Sequence, residues 1–132
     1  MHQKLPKDDA RYQWTNHVVH KMRQYALSES RVKRVVLNPK RIEAGIAPKT
    51  IAVMQSVGTM KKPFEIWVMY QELGNSKKEI GNSKKKTFAA FQNFQPVRKR
   101  IITAWRYPGK SKPRDKPPVP QDILDELVNG LN

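Results

Sequence analysis

Hydrophobic residues recur every three to four positions near the start of the chain, which is the spacing of one face of a helix. Over residues 16–26, Val18 and Met22 share a face, while His17 and Lys21 lie towards another. This pattern predicts an amphipathic helix whose polar face carries a histidine and a lysine. Thr15 or its neighbour at position 16 would cap its start.

A second short helix is predicted over residues 31–37, where three valines fall on one face. Ser28 or Ser30 would cap it. Pro39 ends it, because proline cannot continue the hydrogen-bond ladder of a helix.

The hydrophobic period then changes to two, which is typical of β-strands. In the last such run Thr103 and Trp105 alternate with Ala104 and Arg106, so the two pairs are expected on opposite faces. The aromatic and long apolar side chains of these runs are expected in the core, rather than as platforms for stacking bases. The predicted strands are a short strand or lead-in at 12–15, then 40–43, TIAVMQSV at 50–57, FEIWVMYQEL at 64–73 and RIITAWRY at 100–107.

The order of these elements predicts an α+β fold, with two N-terminal helices packed on an antiparallel sheet of about four strands. The length of 132 residues suits one domain. Residues 87–94 fit a strand or a helical turn equally well. The predicted segments are a lead at 1–11, the domain at 12–108 with a lysine-rich hairpin at 74–86 that contains GNSKK twice, a basic proline-rich linker at 109–120 and an amphipathic helix at 121–132.

The charge distribution indicates a polyanionic partner. Lysine and arginine number 26 against 11 acidic residues, a net charge of +15. Residues 77–116 carry 13 basic and two acidic groups, whereas 117–132 carry three acidic groups and no basic one. The alternative is a solvated lysine-rich surface without a dedicated partner.

Two absences narrow the expected class of protein. The chain has no cysteine, which excludes disulfides and thiolate metal sites. It has no run of 18 apolar residues and no apolar segment near its start that would serve as a secretory signal, so we expect a cytoplasmic protein without a membrane partner.

Four short motifs follow one another along the chain: Thr15-x-His17-x-x-x-Lys21-Met22, Leu27-Ser28-x-x-x-Val32, Asn38-Pro39 and Ile102-Thr103-Ala104-Trp105-Arg106. Together they resemble a toxin-like family of small bacterial proteins related to the RelE/BrnT group. The resemblance spans about residues 12–107, with Val18 where alanine is usual, and the lysine-rich hairpin is a further departure. The linker and the last helix lie outside it.

The resemblance implies a RelE-type α+β fold and, for many members, a metal-independent endoribonuclease that acts on messenger RNA and is paired with an antitoxin. Such a reaction needs a base for the 2′-OH, a cation for the charged phosphorane and a proton for the departing oxygen. We therefore expect His17 as the base, Arg106 as a phosphate clamp and Thr103 as a hydrogen-bond partner. No cofactor is expected. The expected partners are RNA, ribosome-bound or free, and an acidic antitoxin.

Further residues are expected to bind nucleic acid through charge or hydrogen bonds. They are Lys21, Arg98, Lys99, Arg100, Tyr107, Lys110, Lys84, Lys85 and Lys86, with Tyr70 as a further hydrogen-bond partner.

Each assignment competes with a structural alternative. His17 would serve equally well to brace the helix against the sheet through Thr103, and His20 fits an exposed helical position. The two histidines lack a nearby third ligand for a metal. At the level of the whole protein, a noncatalytic RNA-binding or ribosome-associated protein would keep the same fold and charge.

Overall fold

The computed structural model describes residues 5–73, 97–112 and 116–128, which form three helices and five strands. The predicted lysine-rich hairpin and residues 87–94 lie outside the described residues. The elements are β1 (Tyr12–Trp14), α1 (Asn16–Gln24), α2 (Glu29–Leu37), β2 (Arg41–Ala44), β3 (Ile51–Gly58), β4 (Pro63–Glu72), β5 (Lys99–Pro108) and α3 (Gln121–Val128).

The five strands form one mixed sheet in the order β1-β5-β4-β3-β2. The α+β class is confirmed, but the expected antiparallel sheet of about four strands is wrong in one respect. The short strand β1 precedes the helices and pairs parallel to β5, whereas β2 to β5 are antiparallel. A three-residue strand paired with one far along the chain leaves no local pattern that could reveal its direction.

Side-chain caps define where α1 and α2 begin, as the sequence predicts. The Thr15 hydroxyl accepts from the backbone N–H of Val18 at 3.1 Å, and the Ser28 hydroxyl accepts from that of Arg31 at 3.1 Å. Ala26, with φ of 57°, reverses the chain between the helices. The second helix therefore starts two residues earlier than its apolar pattern alone suggested.

Helix α1 runs beside β5 in the same direction, continuing the edge of the sheet where β1 ends. At one end the backbone N–H of Thr15 donates to Ile101, and at the other Arg106 donates to the carbonyl of Tyr25 at 2.7 Å. A nine-residue helix is about 14 Å long, and the strand rises about 16 Å from residue 101 to residue 106. The lengths are similar, so the first turn of α1, with His17, lies beside Thr103, and the last turn lies near Arg106.

The sheet is covered on both faces. On one face α1 and α2 contribute Val18, Met22, Val32 and Val35 to a buried cluster with strand residues such as Val68. The opposite face is covered by α3 and the segment before it. That second cluster consists of Ala52, Met54, Trp67, Met69, Trp105 and Ile123.

A register shift opposite Met69 and Tyr70 changes which face of the sheet the residues of β5 lie on before and after it. Trp105 belongs to the cluster under α3 and Ala104 to the cluster under α1 and α2, as the alternation predicts. Continued alternation would place Ile101 on the same side as Trp105, but Ile101 packs with Ala104. The irregularity inserts an extra residue between them and inverts the alternation.

The segment that leads to α3 is tied to the sheet by a buried carboxylate. Glu65, 2% exposed, accepts from the Ser111 hydroxyl at 2.7 Å, from its backbone N–H at 3.0 Å and from the Trp67 indole at 2.9 Å. This anchor directs the chain across the second face. Ile123 of α3 then packs, fully buried, in the cluster with Trp67 and Trp105.

Candidate functional site

His17 lies in the first turn of α1, where both of its ring nitrogens meet polar groups. Nε2 is 2.9 Å from the Thr103 hydroxyl, and Nδ1 is 3.4 Å from a carboxylate oxygen of Glu126 in α3. The imidazole is only 10% exposed. Burial lowers the pKa of His17 below its usual value, and this outweighs the opposite effect of Glu126. The neutral form is therefore favoured near pH 7.

The neutral ring has two tautomers, and the Thr103 hydroxyl is compatible with both, because it can donate to an unprotonated Nε2 or accept from a protonated one. The nearby Glu126 carboxylate favours the tautomer with the proton on Nδ1. Because Thr103 is fully buried, Nε2 points towards the sheet and Nδ1 towards α3.

Lys21, one turn further along α1, is buried to 4% exposure and is paired entirely with α3 and its own helix. Its ammonium lies 2.6 Å from Asp122, 3.1 Å from Glu126 and 3.0 Å from the amide oxygen of Gln24. Burial alone would lower the pKa of Lys21, but the hydrogen bonds from its ammonium to the two carboxylates outweigh it, and the pKa is raised.

Asp122 responds in the complementary sense. Burial would raise its pKa, yet the hydrogen bonds from Lys21 and Gln24 outweigh burial and lower it. Lys21 and Asp122 are therefore both charged over a wide pH range. The ion pair between α1 and α3 also includes a second carboxylate of α3, that of Glu126.

An open cleft of about 800 Å³ lies beside His17, where β1 gives way to α1. Arg100 lines it and donates through Nε to the side-chain oxygen of Gln13 at 2.6 Å. Leu127 of α3 lines it as well. The other polar side chains on its wall include Thr15, Asn16, Thr50 and Gln71.

The structure brings His17 and Thr103 together but places Arg106 elsewhere. Arg106 donates to the backbone carbonyls of Tyr25 and Ala26, at 2.7 and 3.1 Å, and its guanidinium lies 4.8 Å from the centre of the Phe64 ring. It caps the C-terminal end of α1, about 10 Å along β5 from residue 103 and on the other face. A catalytic role for Arg106 stays a prediction, and Arg100 is the arginine that shares a cleft with His17.

The other predicted RNA-binding residues are spread over the surface. Arg98 donates to the backbone carbonyl of Asp9 at 3.1 Å, and the Lys99 ammonium lies 5.9 Å from the centre of the Tyr70 ring. Tyr107 packs at the margin of the cluster under α3, whereas Lys110 is exposed. Lys84, Lys85 and Lys86 fall outside the described residues.

Sequence reasoning missed the two acidic residues that meet His17 and Lys21. Asp122 and Glu126 are four apart, so they lie on one face of α3. His17 and Lys21 have the same spacing on α1. The matching spacing of the two acidic residues and of the histidine and lysine could have indicated a contact between the helices. However, the sequence of one helix does not show which other helix it will contact.

Comparison of the chain with protein-family models, with curated proteins and with solved structures finds no match in any of the three. Among the described residues, no helix is both long enough and apolar enough to cross a membrane. Within the same ranges, no group of three histidine, cysteine or acidic residues is placed to hold a metal ion.

Proposed function

We propose that this protein is a RelE-like toxin, a metal-independent endoribonuclease that cleaves messenger RNA through its 2′-OH. The observation that carries the proposal is the placement of a buried, neutral His17 on the wall of a cleft that Arg100 also lines. A general base needs a lone pair near neutral pH, and the developing phosphorane needs a fixed cation. The cleft holds both groups.

The chemistry requires only groups of this kind. His17 removes the proton from a 2′-OH, and the 2′ oxygen attacks the adjacent phosphorus. The bond from phosphorus to the 5′ oxygen breaks, and that oxygen takes a proton from water in the open cleft. The hydroxide formed then takes the proton from His17, which restores the neutral ring. The products are a 2′,3′-cyclic phosphate and a 5′-hydroxyl, while Arg100 offsets the negative charge on the phosphorane.

Thr103 is a positioning residue in this scheme. The outward-facing nitrogen of His17 is Nδ1, and it carries a lone pair only when the proton resides on Nε2. The Thr103 hydroxyl can accept a hydrogen bond from Nε2–H, so it keeps its contact with the ring in the required tautomer. Glu126 must then withdraw from Nδ1 to let the substrate approach.

The toxin assignment rests on the motif resemblance and on the charge. A pair of capped helices followed by antiparallel strands supports a RelE-like arrangement, to which β1 is an addition at the edge. A net charge of +15 suits RNA, ribosome-bound or free, in the cytoplasm. It also suits inhibition by an acidic antitoxin.

The test is to incubate end-labelled RNA with the purified protein in EDTA, with and without ribosomes. His17→Ala and Arg100→Gln should each reduce cleavage at least tenfold. His20→Ala and Arg23→Gln are matched controls, because both residues are exposed on α1. These two variants should cleave RNA like the parent. Cyclic phosphate ends on the products are expected. Equal cleavage by His17→Ala and the parent would contradict the proposal.

A noncatalytic RNA-binding protein is the second candidate, favoured by the occupation of both His17 nitrogens by Thr103 and Glu126. In that case His17 only braces α1 against β5 and α3. Salt-sensitive RNA binding without cleavage by any variant, with or without ribosomes, would select this candidate.

A further inference from the structure

The acidic face of α3 occupies the polar face of α1. Asp122 and Glu126 both approach the Lys21 ammonium, Glu126 also approaches His17, and Gln24 donates to Asp122 at 3.3 Å. A lysine with 4% exposure in a chain of such positive charge is thus neutralised by the one acidic segment that the chain contains.

The two carboxylates present charge in the manner of a nucleic acid backbone. Residues four apart on a helix have Cβ atoms about 5–6 Å apart, so the face of α3 offers two negative charges one helical turn apart. Successive phosphates of a single RNA strand likewise offer regularly spaced negative oxygens. Lysine ammonium and a side-chain amide, as in Lys21 and Gln24, are ordinary phosphate donors.

Docking of α3 depends on few contacts besides these ion pairs. Ile123 is its one fully buried side chain among those described, and Leu127 is half-buried. Asp122, Asp125 and Glu126 are exposed over much of their surface. A helix of eight residues is not stable alone in water, so α3 depends on its contacts with α1 and the sheet, and the ion pairs are the part of these contacts that RNA phosphates can replace.

The covered surface is continuous with the cleft. His17 belongs to both, and Leu127 of α3 forms part of the cleft wall. Removal of α3 would therefore extend the cleft from Arg100 past His17 to Lys21.

We propose that Lys21, Gln24 and His17 form a phosphate-binding surface for the RNA backbone, which α3 occupies through Asp122 and Glu126 in a closed state. RNA phosphates compete with these carboxylates, and their binding displaces α3 from α1. This inference rests on the proposed action on RNA and adds its regulation: access to the candidate catalytic histidine is controlled by the acidic helix.

The test compares two doubly neutralised variants with the same net charge. Asp122→Asn/Glu126→Gln removes the contacts with α1, whereas Asp125→Asn/Glu72→Gln removes two exposed charges elsewhere. Binding of a 2′-O-methyl RNA oligomer, which cannot be cleaved through its 2′ oxygen, is measured by fluorescence anisotropy. Thermal unfolding confirms that each variant is folded at the assay temperature.

We expect the first variant to bind at least fivefold more tightly than the control, and we expect Lys21→Gln to abolish that gain. Lys21→Gln in the parent background should change affinity less, because its ammonium is already occupied. Equal affinity of the two neutralised variants overturns the inference. A gain that persists after Lys21→Gln overturns it as well, since the surface would then lie elsewhere.

A direct probe separates this inference from the ribonuclease proposal. Tripolyphosphate is titrated into the parent protein while the ring signals of His17 are followed by NMR, because displacement of Glu126 changes the ring's environment. Shifts at His17 but not at His20, together with no RNA cleavage, would support the surface and contradict the nuclease. If the parent and Asp122→Asn/Glu126→Gln cleave RNA at the same rate and tripolyphosphate causes no shift at His17, the nuclease is supported and the phosphate-binding surface is contradicted.

Discussion

The hydrogen bond between His17 and Thr103 makes a measurable prediction about folding stability. Thr103→Val replaces a hydroxyl by a methyl group of similar volume at a fully buried position. The parent bond is 2.9 Å long, and its loss leaves Nε2 of a nearly buried ring without a partner. Leaving a buried polar atom unsatisfied costs about 1–3 kcal/mol, so we expect the free energy of unfolding to fall by that amount.

The assay is urea denaturation at pH 7.5 of Thr103→Val, His17→Ala and the double variant. In the double variant no orphaned nitrogen remains, so its loss should be smaller than the sum of the single losses by about 1 kcal/mol. Thr50→Val is the matched control, because its buried hydroxyl donates to the Ala47 carbonyl and should combine additively with His17→Ala. Full additivity of Thr103→Val with His17→Ala would show that this hydrogen bond does not contribute to stability.

Three further predictions concern the core, the helix cap and pH. Ile123→Ala should reduce the free energy of unfolding by about 2–5 kcal/mol, since it opens a cavity beneath α3; a change below that range in urea denaturation would mean that α3 packs loosely. Arg106→Gln should lose about 1–2 kcal/mol with its bonds to the end of α1 but keep RNA cleavage, and loss of cleavage in a folded variant would restore Arg106 to the site. Because burial lowers the folded-state pKa of His17 below its usual value of 6.5, the unfolded chain binds the proton first, so stability should fall as pH drops below that value. His17→Gln should flatten that slope, and an unchanged slope would assign it to other groups.

Local patterns on the sequence predicted the elements well because their causes are local. The apolar spacing placed α1, α2 and three of the strands, and hydroxyl residues marked the helix starts. Alternation along β5 also separated Thr103 from Arg106, which already conflicted with a single cluster of these two residues and His17. The structure resolves this conflict in favour of alternation, with Arg106 at the far end of α1.

What the sequence could not supply was the pairing of distant segments. The three residues of β1 contain no sign that they pair with β5, and the register shift at Met69 and Tyr70 depends on both strands at once. The contact of Lys21 with Asp122 likewise depends on where the linker carries α3. Each of these features arises from tertiary packing rather than from propensity, so a local pattern cannot encode it.

The stacked pair of Trp67 and Trp105 gives the protein an optical reporter of its own. Their rings are 5.9 Å apart and nearly parallel, at 5°, directly within the cluster that Ile123 completes. The third tryptophan, Trp14, lines the cleft instead. In Trp14→Phe, tryptophan fluorescence would therefore come from the pair alone, so the proposed displacement of α3 could be timed in a stopped-flow instrument without an attached dye.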